Sequence, residues 1–100
     1  MSARAREMRW VIEEFTALAE DLKLPISAED IAPETALLGR QSTLDSMGLV
    51  HLLAALEDRI AAETGRDLIL ADERAMSATV SPFRSVGSTS RFLAERLAQG

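Results

Sequence analysis

The sequence predicts an all-α protein, a small bundle whose helices are joined by two long connections. Three observations carry this expectation. Apolar residues recur at i, i+3, i+4 and i+7 in three separate stretches. Residues suited to helix ends bound those stretches: Ser2, Pro25, Gly65, Pro82 and Ser85. The one short apolar run outside them, Leu68-Ile69-Leu70, has no evident strand partner and reads as an extended loop lying on the core. At 100 residues the chain is expected to be a single domain over 1–100.

The first helix is expected over about 3–22. Met8, Val11, Ile12, Phe15, Leu18, Ala19 and Leu22 form its apolar stripe. Glu7, Glu13, Glu14, Glu20 and Asp21 lie between them, and Trp10 lies off the stripe, where a half-buried ring at the helix edge is expected. Pro25 marks the end of the helix. Residues 23–44 form a long connection. Ser27-Ala28-Glu29-Asp30 suits one capped turn. Ile31, Leu37 and Leu38 should pin the loop to the core, since an unpinned loop of this length is uncommon in a compact domain. Gly39 to Thr43 is a polar run.

The second helix is expected over about 45–63. Leu49, Leu52, Leu53, Leu56 and Ile60 make one continuous stripe. Met47, Val50, His51, Ala54 and Asp58 make a second one. A second, mostly apolar stripe is either covered by a neighbouring helix or is an exposed contact face. Gly65 should end the helix in a left-handed conformation. Asp72 can cap a short third helix over about 73–78, and Pro82 then forces a break. Ser85 caps the last helix, about 86–98. Val86, Phe92, Leu93 and Leu97 form its stripe, with Thr89 where an aliphatic residue would pack better.

Composition narrows the chemistry. Zero Cys removes disulfides, thiolate catalysis and Cys-bound zinc, and the single His51 leaves no basis for a His metal site; no metal ligands are expected. The net charge of −5 lacks the basic footprint of nucleic-acid binding. No apolar run approaches membrane-spanning length, so no membrane insertion is expected. Met1 to Arg6 has no apolar segment behind it, so we expect no signal peptide and a cytoplasmic monomer. A serine hydrolase is a poor fit. Ser46 and His51 are five residues apart, about 140° around a helix, and no other His can serve as base.

Asp45 and Ser46 open the second helix with short side-chain oxygens suited to its first turn. Ser46 is thus at least a helix cap. Asp45-Ser46-Met47, after a long loop that follows a first helix, resembles the Asp-Ser-Leu signature of acyl and peptidyl carrier proteins, the phosphopantetheine-binding family. The resemblance covers most of the chain. It includes the helix, long loop, helix, short helix, helix order, Glu57-Asp58 late in the second helix, and the Pro82-Phe83-Arg84-Ser85-Val86 approach to the last. It implies a four-helix bundle of the acyl-carrier type, with three main helices and a short third one. It implies that Ser46 is esterified by 4′-phosphopantetheine, added by a phosphopantetheinyl transferase from coenzyme A. The arm's thiol would carry an acyl or aminoacyl group as a thioester. Asp45 takes a transferase-recognition role. The chain would be a substrate, with no catalytic residues of its own.

The same resemblance implies partner contacts at Met47, Val50, His51, Ala54 and Asp58, with Met76 on the short third helix beside them and Arg74 as an electrostatic selector. The partners implied are the transferase, an acyl- or aminoacyl-loading ligase and downstream acyl-processing enzymes of lipid or secondary-metabolite biosynthesis. The chain departs from the family at Thr43, where a Gly is usual, and at Gly48 and His51, where fatty-acid carriers usually have acidic residues. No carboxylate occurs between Asp45 and Glu57. These departures point to a specialised pathway carrier. The rival reading is an unmodified, small acidic helical adaptor that docks a partner through Met47, Val50 and Ala54.

Overall fold

The computed structural model describes residues 3–26, 28–37, 44, 46–70 and 82–98. Among them are three α-helices: α1, Ala3–Leu22; α2, Ser46–Thr64; and α3, Val86–Ala98. A 3₁₀ turn covers Ala28–Asp30. The protein is all-α. The only β feature among the described residues is an isolated antiparallel bridge between Ala36 and Ser85. The expected short helix over 73–78, Leu38 and the polar run 39–43 lie outside the described residues.

α1 is the central helix. It packs against both α2 and α3, and no comparable α2–α3 contact occurs among the described residues. A helix with neighbours on two sides buries a wider arc than one stripe, and this corrects two expectations. Trp10, expected at a half-buried edge, is 1% exposed and belongs to the core. Glu7, expected between apolar positions, is fully buried. Its carboxylate accepts from Arg6 Nε at 3.1 Å and Nη2 at 3.4 Å. The Arg6 guanidinium lies 4.8 Å from the centre of the Trp10 ring, so one cation covers both groups. The Trp10 indole N–H is buried without a hydrogen-bond partner. At the other end of α1, Leu22, expected on the buried stripe, is half exposed.

α1 does not wait for Pro25 to end. Lys23 adopts a left-handed φ of 56°. Its N–H donates to the Glu20 carbonyl at 3.2 Å, and the Leu24 N–H donates to the Ala19 carbonyl at 2.9 Å. This is the paired C-terminal arrangement usually built on Gly, here built on Lys, with Leu24 packed against the core. Ile31 and Leu37 are buried and hold the following connection to the core, as expected. Leu44 is buried at the entry to α2.

The connection also closes the start of α3. The first N–H groups of a helix lack partners within it. Here the Val86 N–H donates to the Thr35 carbonyl at 3.0 Å and the Gly87 N–H to the Pro33 carbonyl at 2.7 Å. The Ser88 N–H donates to Ser85 Oγ at 3.1 Å, and the Ser85 N–H donates back to Ser88 Oγ at 3.0 Å. Ser85 therefore caps α3, as expected, in a reciprocal box. Gly87 permits the approach: a Cβ there would stand 3.0 Å from the Pro33 carbonyl oxygen. Thr89, which looked misplaced on an apolar face, is fully buried, and its hydroxyl donates to the Ser85 carbonyl at 2.8 Å. Buried Ser90 does the same to Val86 at 2.8 Å. Both hydroxyls are satisfied locally, so they enter the core without an unpaired donor.

Candidate functional site

α2 presents two unlike faces. Leu49, Leu52, Leu53, Leu56 and Ile60 are all buried in the core. Met47 is 63% exposed and Val50 49% exposed. His51, Ala54 and Asp58 are exposed on the same face. The second stripe is thus uncovered among the described residues. Among the described helices α2 packs on α1, and the face turned to it is the buried one. Met47, Val50 and Ala54 follow at three- and four-residue spacing, which makes them neighbours on the surface. Asp58 lies about 16 Å along the axis from Met47, eleven residues at 1.5 Å each.

Ser46 is the first residue of α2. From Ser46 on, the first turn of the helix carries no acidic residue. At the start of α3, the connection from α1 and the Ser85–Ser88 box occupy the N–H groups. Asp45, Arg74 and Met76 lie outside the described residues.

The far end of α2 is tied down. Gly65 adopts φ 75°, the expected left-handed stop. The Arg66 guanidinium donates to the Leu97 carbonyl at 2.5 Å and so closes the last turn of α3. Glu57 accepts the Leu70 N–H at 2.7 Å, which holds the extended segment after α2 against it. Leu70 is buried there, while Ile69 points outward and is exposed. Arg59 reaches across to α1, donating to Glu13 at 2.7 Å and Glu14 at 2.9 Å, with Glu63 of its own helix at 3.7 Å. The hydrogen bond to Glu13 outweighs desolvation and, with Glu14, holds the guanidinium pKa above its ordinary value.

Comparison with protein-family models, curated proteins and solved structures finds no match. The site gathers a serine at a helix start and an exposed, mostly apolar face running away from it on the same helix. Among the described residues no three His, Asp or Glu side chains are gathered so as to hold a metal ion. No helix among them is long and apolar enough to cross a membrane. Sequence reasoning missed the Arg59 link to α1. The pairing of Arg59 with Glu63 four residues on is a sequence signal, but Glu13 and Glu14 are about 45 residues away and only the fold brings them near. It also missed Glu57 as the acceptor for Leu70, since that contact depends on how the chain returns after Gly65.

Proposed function

We propose that the protein is a carrier of the acyl or peptidyl carrier type, with 4′-phosphopantetheine attached through a phosphodiester to Ser46. In this reading the complete chain is a four-helix bundle, with the short third helix formed by about 73–78. The observation that carries the proposal is the place of Ser46 as the first residue of α2, with the exposed Met47, Val50, His51, Ala54 and Asp58 face beginning beside it. A phosphodiester at a helix start is favoured by backbone N–H groups and the dipole.

When bound, the arm supplies a thiol that holds acyl groups as thioesters, which a chain with no Cys cannot supply from its own side chains. This chain's residues hold and present it. The buried stripe of α2 fixes the helix, Asp45 serves transferase recognition, and the exposed face, together with Met76 as the resemblance implies, meets the enzymes that load and process the cargo. The chain itself performs no catalysis. The departures at Thr43, Gly48 and His51 favour a pathway-dedicated carrier over the general fatty-acid one.

A second reading rests on the same exposed face. An unmodified adaptor that docks a protein through Met47, Val50 and Ala54 needs nothing on Ser46. Intact mass separates the two. The purified protein is incubated with coenzyme A and a broad-specificity phosphopantetheinyl transferase, beside an established carrier as control. The carrier reading expects a mass gain of one phosphopantetheine that Ser46→Ala abolishes. No gain, with the control modified, removes the carrier reading and leaves the adaptor. A gain that survives Ser46→Ala moves the attachment to another residue.

A further inference from the structure

Among the described residues Glu7 is the one charged side chain buried in the core. Trp10, one turn further along α1, carries an indole N–H enclosed without an acceptor. Neither takes part in the reading of Ser46. The two belong together, because residues three apart on a helix are neighbours. The Arg6 guanidinium touches both: Nε stands 3.1 Å from Glu7 Oε1, Nη2 3.4 Å from Oε2, and the central carbon 4.8 Å from the middle of the Trp10 ring.

Arg6 holds Glu7 weakly. Adjacent residues diverge by about 100° around a helix, so Arg6 folds back across the ring to reach the carboxylate, at a cost in rotamer freedom. Both bonds are longer than the about 2.7–2.9 Å typical of charge-assisted pairs. The Arg6 side chain is 46% exposed, against 0% for Glu7. A carboxylate offers about four acceptor sites, and the two bonds from Arg6 leave capacity to spare. Beside it stands a donor with nothing to bond.

We propose that Glu7 is an acceptor shared in alternation. In this structure Arg6 holds it. In a second state Arg6 swings into solvent and the Trp10 indole N–H donates to the carboxylate. The exchange meets what burial demands: the enclosed carboxylate keeps a donor, and the orphan N–H gains its acceptor. The states differ in where the cation sits. Salt screens the half-exposed ion pair far more than an enclosed indole bond, so ionic strength shifts the balance toward release. The first turns of α1 form a salt-sensitive latch.

The single tryptophan gives one indole N–H resonance, so proton–nitrogen NMR of the full chain reads the exchange directly. Salt is raised from about 0.1 M to about 1 M, over which the Debye length falls from about 10 Å to about 3 Å. The wild-type resonance should move downfield, as hydrogen bonding requires. Arg6→Ala should place it at the far end of the same path already at low salt. Arg6→Ala/Glu7→Leu, which removes the acceptor and leaves an apolar side chain in the core, should return it upfield and abolish the salt response. A wild-type resonance that ignores salt overturns the inference, as does a downfield shift in Arg6→Ala that survives the addition of Glu7→Leu. An Arg6→Ala chain that loses its helical circular dichroism also overturns it, because Glu7 would then have no second donor. None of these outcomes bears on Ser46.

Discussion

Trp10 is a large buried residue whose replacement by Phe should cost little. Its indole N–H is fully enclosed without an acceptor, and an unpaired buried donor costs about 1–3 kcal/mol. Trp10→Phe deletes that donor. The loss is roughly 50 Å² of buried aromatic surface, about 1.2 kcal/mol at 25 cal/mol/Å², with about 0.5–1 kcal/mol more for the void left behind. Stacking of Arg6, 4.8 Å above the ring, weakens by a few tenths of a kcal/mol. Gain and loss nearly cancel, so the variant should stay within about 1 kcal/mol of the wild type. Trp10→Ala forfeits the whole ring and should cost about 3–5 kcal/mol. Urea unfolding followed by far-UV circular dichroism measures both, and it does not rely on the single tryptophan as a fluorophore. A Trp10→Phe cost above about 2 kcal/mol would refute the reasoning, because it would mean that the indole N–H makes a bond worth keeping.

Four other outcomes follow from the same structure. Leu56, fully buried, should lose about 2–5 kcal/mol on change to Ala, whereas Val50→Ala on the exposed face should lose less than about 1 kcal/mol; equal losses in urea unfolding would mean that the second stripe is covered. Arg59→Met should cost about 1 kcal/mol, discounted because every pair in its network is partly exposed, and the difference from wild type should shrink in high salt. The raised Arg59 pKa contributes stability that is complete below the ordinary arginine value and is lost only as pH rises through the raised one, so a pH series near neutrality should show no slope from this residue. Lys23→Gly should stabilise by about 1 kcal/mol, since a residue without Cβ adopts the left-handed φ of 56° at no steric cost; a lower thermal midpoint for the variant would contradict this.

Much of the fold is legible in the chain because helix signals are local. The stripe from Met8 to Ala19, the stripe from Leu49 to Ile60, the Gly65 stop and the Ser85 cap are each decided by residues within a turn or two. What escapes reading is set by contacts between distant segments. Nothing near Lys23 predicts that a lysine will take the position usually held by Gly. Gly87 looks unremarkable in a helix until the Pro33 carbonyl arrives 2.7 Å from its N–H. Thr89 and Ser90 look too polar for a core until each hydroxyl turns back to a carbonyl four residues earlier. The candidate site divides in the same way. The alternation of two stripes on α2 is visible in the sequence, but whether the second is covered depends on how many helices α2 touches.

That number follows from α1. Placing Trp10, Val11 and Phe15 all in the core requires a helix with neighbours on both sides. Among the described helices, α1 fills the middle and α2 and α3 each turn one buried face to it. α3 spends its helix start on the connection from α1, where Thr35, Pro33 and Ser85 take up its first N–H groups. α2 makes no such use of Met47, Val50 and Ala54, and the described core is complete without them. Exposed apolar side chains that add nothing to packing carry a solubility cost with no return in stability. Their position on the helix that Ser46 opens is what the proposed docking role rests on.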